Sequence, residues 1–167
     1  MKHEMVTRVE DITFRYSHHR EAVKELVSIF WEKEGVIALV FGGSVAKHME
    51  RPDSDIDAMV VVTDDFYAKA KEENCTAGMI PMGDCAYPGG YFDYKYMTKD
   101  FIRDAAEKAS EPTRNSFIGS HVMFSADPEV TELVSKIPVF QEREYEYKML
   151  SFFSDLQLNY QYFWKIC

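Results

Sequence analysis

Features that would mark several classes of protein are scarce in this sequence of 167 residues. No apolar run approaches the roughly 20 residues of a membrane-spanning helix, and the charged N-terminus lacks the apolar core of a secretory signal. Both absences favour a cytoplasmic protein with no membrane contact. The three cysteines, Cys75, Cys85 and Cys167, lack the spacing of a metal site, so we expect free thiols in a reducing compartment.

Basic clusters are scarce as well, and the net charge is −9 at pH 7. Proteins that bind duplex nucleic acid gain most of their affinity by neutralising phosphates with Lys and Arg. The composition therefore disfavours a nucleic-acid partner. A small cationic substrate would suit the acidic field better.

The pattern along the chain predicts helices alternating with short strands. Helices are expected over about 17–34, 45–49, 64–73, 99–109 and 128–135, and strands over 36–41, 55–62, 91–97 and 116–124. The segment 76–90 is rich in Pro and Gly and predicts a short strand followed by a loop. His18 and His19, at the start of the first helix, are expected to be a surface pair.

From residue 138 onward the pattern is helical and very aromatic. Apolar side chains recur there at helical spacing and form a broad face: Tyr145, Met149, Phe152, Phe153, Leu156, Tyr160 and Phe163. Such a face needs a partner. The domain itself, a second copy in a homodimer and an additional helical domain all remain open.

Two carboxylates alternate in Asp55-Ile56-Asp57, at the start of a predicted strand. Residues 55 and 57 of a strand point to the same face, with Cα atoms roughly 7 Å apart. Two carboxylates so placed repel each other, and a divalent cation held by their oxygens removes that penalty. The motif alone is also used by sugar-nucleotide glycosyltransferases.

Gly42-Gly43-Ser44 lies where a buried strand gives way to a helix. Glycine lets a phosphate approach the backbone, the N–H groups at a helix start favour an anion, and Ser44 adds a hydroxyl donor. The glycines would serve equally in a simple strand-to-helix turn. Ten residues separate Ser44 from Asp55, which is enough for a helix and a return turn to the same end of one sheet.

A third carboxylate, Asp93, lies within the aromatic strand Tyr91 to Met97. An Asp inside such a strand is costly unless it is paired or coordinates a metal. Lys95, on the same strand face, is one possible partner. Asp84 in a loop and Asp100 at a helix start compete for the role of third carboxylate.

Together these segments resemble the DNA polymerase β-like nucleotidyltransferase superfamily. The signature runs from Phe41-Gly42-Gly43-Ser44 through Asp55-Ile56-Asp57-Ala58 to Asp93, and the resemblance covers about Val36 to Met97. Within the superfamily the chain looks like the small bacterial group of aminoglycoside and minimal nucleotidyltransferases. Arg51-Pro52 departs from the commoner glycine-containing spacer.

The resemblance implies an α+β fold, with a small mixed β-sheet flanked by helices and followed by a C-terminal helix. The catalytic domain would span 1–137, and 138–167 would form the C-terminal helix or the start of a helical domain. The implied activity is Mg²⁺-dependent transfer of a nucleoside monophosphate from an NTP to a small-molecule hydroxyl, with release of pyrophosphate. ATP is the first candidate for the NTP. An aminoglycoside is the first candidate acceptor. Nucleotidylation of a protein partner, as in toxin–antitoxin pairs, and a non-catalytic nucleotide-binding module are the alternatives.

The resemblance also implies roles for individual residues. Two Mg²⁺ ions and the catalytic chemistry are assigned to Asp55, Asp57 and Asp93. Nucleotide binding is assigned to Gly42, Gly43, Ser44 and Lys47. Among these, Ser44 and the backbone around Gly43 would hold the β and γ phosphates, whereas Lys47 either reaches the triphosphate or is a solvated helix lysine.

Overall fold

The computed structural model describes residues 2–163. Its strands are β1 (Glu4–Met5), β2 (Val36–Gly42), β3 (Ile56–Val62), β4 (Ala77–Pro81), β5 (Tyr91–Thr98) and β6 (His121–Ser125). Its α-helices are α1 (Ser17–Trp31), α2 (Gly43–Ala46), α3 (Asp64–Glu72), α4 (Lys99–Lys108), α5 (Glu111–Phe117), α6 (Pro128–Lys136) and α7 (Tyr145–Leu158). Short 3₁₀ turns occupy Val9–Asp11 and Glu142–Glu144, and a π-helical turn occupies Asn159–Phe163.

The strands form a mixed sheet in the order β1-β6-β2-β3-β5-β4. The β3–β5 pair is parallel and the other pairs are antiparallel. Successive residues of β2 alternate between two apolar cores, Leu39 and Phe41 facing one and Val40 facing the other. Helix α1 covers the first core, and α4 and α6 cover the second. The predicted α+β class, with a mixed sheet flanked by helices and a C-terminal helix, is confirmed.

The predicted strand over 116–124 is wrong in its first half. Residues 116 and 117 are the end of helix α5, and β6 begins only at His121. Ser110 caps the helix by accepting a hydrogen bond from the backbone N–H of Thr113, and a proline lies in its first turn. Phe117 is the buried residue of this helix. Its apolar side chain, close to the apolar residues of β6, made the segment resemble the start of a strand.

Two helix boundaries also differ from the sequence pattern. The short helix after β2 begins at Gly43 and ends at Ala46, because His48 takes a positive φ of 57° that stops helical propagation. The first helix ends at Trp31, before Gly35, which has a φ of 82°. The short strand predicted within 76–90 is β4.

His18 and His19 are not the surface pair that the sequence indicates. His19 is fully buried, and His18 is half-buried. His19 occupies the apolar face of α1, whereas the ring of His18 packs against Tyr87 with centroids 4.4 Å apart. The cysteines do agree with expectation where they are described: Cys75 and Cys85 are free thiols, and Cys167 lies outside the described residues.

Helix α7 carries many exposed apolar side chains, including Tyr147, Leu150 and Leu156. It is joined to the rest of the fold through Lys148, whose Nζ donates to the Ala109 carbonyl and pairs with Glu111 at 3.0 Å. The side chain of Phe163, the last member of the expected apolar face, lies outside the described part. Among residues 2–163, no helix combines the length and apolarity needed to cross a bilayer.

Candidate active site

Asp57 and Asp93 lie side by side on neighbouring strands. They are direct register partners in the parallel β3–β5 ladder, so their side chains leave the same face of the sheet. Asp57 is also the register partner of Gly42 at the end of β2. The strand pairing therefore brings the glycine turn and two of the predicted carboxylates to one edge of the sheet.

Asp55 completes a cluster of negative charge around Asp57. The pKa of Asp57 is raised to about 6 by burial and by the charges of Asp55 and Asp93. Lys95 and Lys47 act in the opposite direction on the same carboxyl group. The charges of Asp55 and Asp93 therefore both act on the carboxyl group of Asp57.

Residue 43 has to be glycine because the carboxylate of Asp57 occupies the space that a side chain would need. It has a φ of 74°, and a Cβ placed on it would lie 1.7 Å from Oδ2 of Asp57. Real Cβ contacts never approach that distance, so a side chain here would displace the aspartate. The sequence correctly indicates a need for glycine, and the close neighbour in the structure is a carboxylate of the chain itself.

Gly42 and Ser44 differ in their surroundings. Gly42 is buried, and a Cβ there would meet the Met59 methyl at 2.6 Å, so this glycine serves packing beneath the turn. Ser44 is half-buried at the start of α2. Its carbonyl accepts a hydrogen bond from the backbone N–H of Met49, which closes the turn after the helix.

A cavity of about 230 Å³ opens beside the aspartates. Its lining is Gly43, Lys47, Asp57, Ala58, Met59, Asp93, Lys95, Met97 and Ser116. Lys47 and Lys95 give it two cations beside two anions. Of the predicted nucleotide-binding residues, Gly43 and Lys47 line the cavity.

Two of the lining residues, Lys95 and Ser116, were missed as site residues by the sequence patterns. Lys95 lies two residues after Asp93 on the same strand face, and that spacing was a usable signal. Ser116 comes from the end of α5, in the segment assigned to a strand. Tyr91 was missed too: a hydrogen bond to the Asp55 carboxylate is the main cause of the raised pKa of Tyr91.

The competing carboxylates lie elsewhere. Asp84 lines a separate cleft with His18 and Glu25. Asp100 is in the first turn of α4 and pairs with Arg103 at 2.5 Å. Asp93 is therefore the third carboxylate that the fold brings to Asp57.

A larger cleft, of about 880 Å³, lies near the opposite ends of β3 and β5 and is lined in part by Thr63, Phe66 and Tyr96. Lys33 extends along it and donates a hydrogen bond to the Tyr96 hydroxyl at 2.7 Å. The Lys33 ammonium also lies over the Phe66 and Tyr96 rings, 5.7 and 5.3 Å from their centroids. The cleft is away from the aspartates and takes no part in the site.

The donors around Asp57 fit a divalent cation of the Mg²⁺ type. Carboxylate oxygens are the ligands such ions prefer, and a bound cation would relieve both causes of the raised pKa of Asp57, first its burial and second the charges of Asp55 and Asp93. Within residues 2–163, no three acidic, imidazole or thiolate side chains already converge as a complete ligand set. The aspartates thus supply the right charge and chemistry, without a preformed cage.

A family model described as "Nucleotidyltransferase domain" matches residues 19–161, which is most of the chain. This chain belongs to the nucleotidyltransferase family. The family predicted from the motifs is confirmed, and with it the assignment as a nucleotidyltransferase that uses an NTP substrate. The aminoglycoside-type subgroup stays a prediction.

Comparison with individual proteins adds little to the family assignment. No curated protein sequence matches this nucleotidyltransferase. Eleven solved chains match it in structure. One is described as "Crystal structure of the toxin-antitoxin with AMP-PNP"; it has a TM-score of 0.40 and 11% identity, covering 82% of this chain and 97% of that chain.

Proposed function

We propose that this nucleotidyltransferase transfers a nucleoside monophosphate from an NTP to the hydroxyl of a small cationic acceptor, such as an aminoglycoside, and releases pyrophosphate. ATP is the first candidate for the NTP. The observation that carries the proposal is one cavity lined by Asp57 and Asp93, which lie side by side on neighbouring strands, together with Lys47 and Lys95. Carboxylates for metal binding next to cations for phosphate are what this transfer needs. The acidic chain, with its net charge of −9, favours a cationic acceptor.

The residues of the cavity would divide the work as follows. Lys47 and Lys95 attract the triphosphate, and the backbone around Gly43, with Ser44 next to the cavity lining, binds its β and γ phosphates. Asp93 lies at the cavity wall, within reach of an acceptor hydroxyl that enters there, and would accept its proton. The mixed charges hold donor and acceptor close together, which supplies much of the rate enhancement in phosphoryl-type transfer.

Asp55, Asp57 and Asp93 would hold Mg²⁺, two ions in the arrangement that the motif implies. Bound Mg²⁺ supplies positive charge for the triphosphate and for the departing pyrophosphate, and it lowers the pKa of an attacking hydroxyl. The raised pKa of Asp57 has two causes that such ions would offset: the burial of its carboxylate and the nearby charges of Asp55 and Asp93.

Titration calorimetry with non-hydrolysable analogues of ATP, GTP, CTP and UTP, with and without Mg²⁺, tests the nucleotide half of this proposal. We expect binding of at least one analogue that strengthens with Mg²⁺, because the ions offset repulsion between aspartates and phosphates. Absence of any Mg²⁺-dependent binding would overturn the proposal. Binding without pyrophosphate release in the presence of any acceptor would favour the non-catalytic module instead.

Replacing either cavity lysine by methionine, Lys47→Met or Lys95→Met, is expected to weaken nucleotide binding by about tenfold, or about 1.4 kcal/mol. Methionine keeps the apolar stem and removes only the charge. The nucleotide KM should rise more than kcat falls, since the lost attraction acts on bound substrate and transition state alike. Lys69→Met, on exposed α3 outside the cavity, is the matched control and should leave KM unchanged.

The acceptor is identified by measuring pyrophosphate release across a panel of aminoglycosides with the preferred NTP. A second candidate acceptor is a hydroxyl of a protein partner, which the exposed apolar side chains of α7 favour because they would suit a protein surface. Transfer of label from α-labelled NTP to a protein, with no release stimulated by the panel, would favour this second candidate.

The division of the chain follows from the same site. We propose that 1–137 is the catalytic unit, since it supplies every residue of the cavity, and that 138–167 is a helical segment. Lys148 joins this segment to α5 through Glu111. The segment would serve either a homodimer or a helical domain.

A further inference from the structure

The turn that leads into Asp55 is held from outside by two aromatic side chains. The Tyr87 hydroxyl donates a hydrogen bond to the Ser54 carbonyl at 2.6 Å. Nε2 of His18 donates to the Pro52 carbonyl at 2.9 Å. The two rings also pack against each other, with centroids 4.4 Å apart. Two backbone carbonyls just before Asp55 are thereby tied to α1 and to the loop between β4 and β5.

The turn from Arg51 to Ser54 is closed by hydrogen bonds of its own. The backbone N–H of Ser54 donates to the Arg51 carbonyl at 3.1 Å, and the Arg51 N–H donates back to the Ser54 hydroxyl at 3.0 Å. Gly89, with a φ of 83°, packs so closely on the turn that a Cβ there would lie 3.0 Å from the Asp53 carbonyl oxygen. Because these bonds lie within the turn, they do not fix its position relative to the rest of the fold. The hydrogen bonds from Tyr87 and His18 do so.

Asp55 differs from the other two aspartates in how its backbone is held. Asp57 and Asp93 lie inside the β3–β5 ladder, which begins at the pair Ile56–Phe92. Asp55 precedes that ladder and has no register partner in it. Its backbone is therefore held on one side by Ile56, where the ladder begins, and on the other side by the turn before it.

Tyr87 is near enough to Asp55 for the two to interact. Burial raises the pKa of Tyr87, and the charge of Asp55 raises it further. The hydroxyl itself is engaged by the Ser54 carbonyl, to which it donates. Its neighbour Tyr91 contacts Asp55 directly, whereas Tyr87 acts one residue earlier, on the backbone.

We propose that Tyr87 is a positioning residue, whose hydrogen bond to the Ser54 carbonyl sets where the Asp55 carboxylate stands relative to Asp57 and Asp93. His18 holds the other end of the same turn. This inference rests on the proposed function, in which these aspartates hold divalent metal. Outer partners that orient metal ligands matter because a site must be held to a fraction of an ångström.

The test is a titration of the full chain with Mn²⁺, in wild type and in Tyr87→Phe. Electron paramagnetic resonance measures the free ion at each step and so gives the Mn²⁺ affinity. We expect the variant to bind Mn²⁺ about tenfold more weakly, the loss typical for an outer partner of a metal ligand. Tyr96→Phe is the matched control, because its hydroxyl also takes part in one hydrogen bond, from Lys33, on the face of β5 opposite to Asp93. It should bind Mn²⁺ within about twofold of wild type.

Thermal unfolding of both metal-free variants separates positioning from general stability. We expect similar small decreases in Tm for Tyr87→Phe and Tyr96→Phe, so that only the Mn²⁺ affinities differ. If wild type binds Mn²⁺ and Tyr87→Phe binds it equally well, the positioning role is wrong and the proposed function stands. If wild type binds no Mn²⁺, the proposed metal site is wrong, and the positioning role of Tyr87 is wrong as well.

Discussion

Asp57→Asn is expected to reduce pyrophosphate release by about 10³-fold or more, because it neutralises a proposed metal ligand, which would be worth several kcal/mol to the transition state. Asparagine has the same shape, so the fold and the contact with Gly43 are preserved. Asp57 is the aspartate whose pKa is raised by burial and by the charges of both Asp55 and Asp93. The measurement is pyrophosphate release at saturating NTP and Mg²⁺.

The same substitution should stabilise the metal-free protein. The pKa of Asp57 rises from 3.8 to about 6, so the folded state holds the proton more tightly than the unfolded chain. Wild type therefore loses stability as the pH rises through this range, and Asp57→Asn does not. Above about pH 6 we expect a gain of about 1–2 kcal/mol, after allowance for solvent screening, or about 4 °C in Tm. Near pH 4 the gain should disappear, as thermal scans in EDTA would reveal.

Asp84→Asn is the matched control for this substitution. It also neutralises one aspartate, in the separate cleft with Glu25. It should retain wild-type turnover. Turnover retained by Asp57→Asn, or lost equally in both variants, would contradict the assignment of the site.

Gly43→Ala is expected to reduce turnover by about 10²-fold, the loss that an ångström-scale misplacement of a catalytic group can cause. The added Cβ would lie 1.7 Å from Oδ2 of Asp57, so the carboxylate must move. The positive φ of 74° adds roughly 1–2 kcal/mol of backbone strain. Both Mn²⁺ affinity and turnover should fall.

Gly119→Ala separates the strain from the clash. Gly119 has a similar φ of 70°, and a Cβ there would meet its nearest atom, the Ala46 carbonyl oxygen, at 3.3 Å. This control should lose comparable stability in thermal unfolding while its Mn²⁺ affinity stays near that of wild type. Equal loss of Mn²⁺ affinity in both variants would mean that backbone strain, and not displacement of Asp57, explains the effect.

The motifs that predicted the site are all local in the sequence. A buried apolar strand, a glycine turn, a spacer of ten residues and an alternating pair of aspartates can be read without tertiary information. The order of strands and helices could also be read, since β2, β3 and β5 are rich in β-branched and aromatic residues. Segments whose residues suit two structures were harder: α5 contains Phe117, which reads equally as the start of a strand.

The amino-acid sequence by itself determined the family, the α+β class and the aspartates of the candidate site, because these depend on residue type and spacing along one stretch of chain. Only the tertiary structure decided which atoms meet. The register of β3 against β5 makes Asp57 and Asp93 neighbours, and the fold turns Gly43 toward a carboxylate of its own chain. Tyr87 and His18 reach the turn before Asp55 from 33 and 34 residues away. Contacts at such separations follow from burial and strand pairing, which no local pattern records.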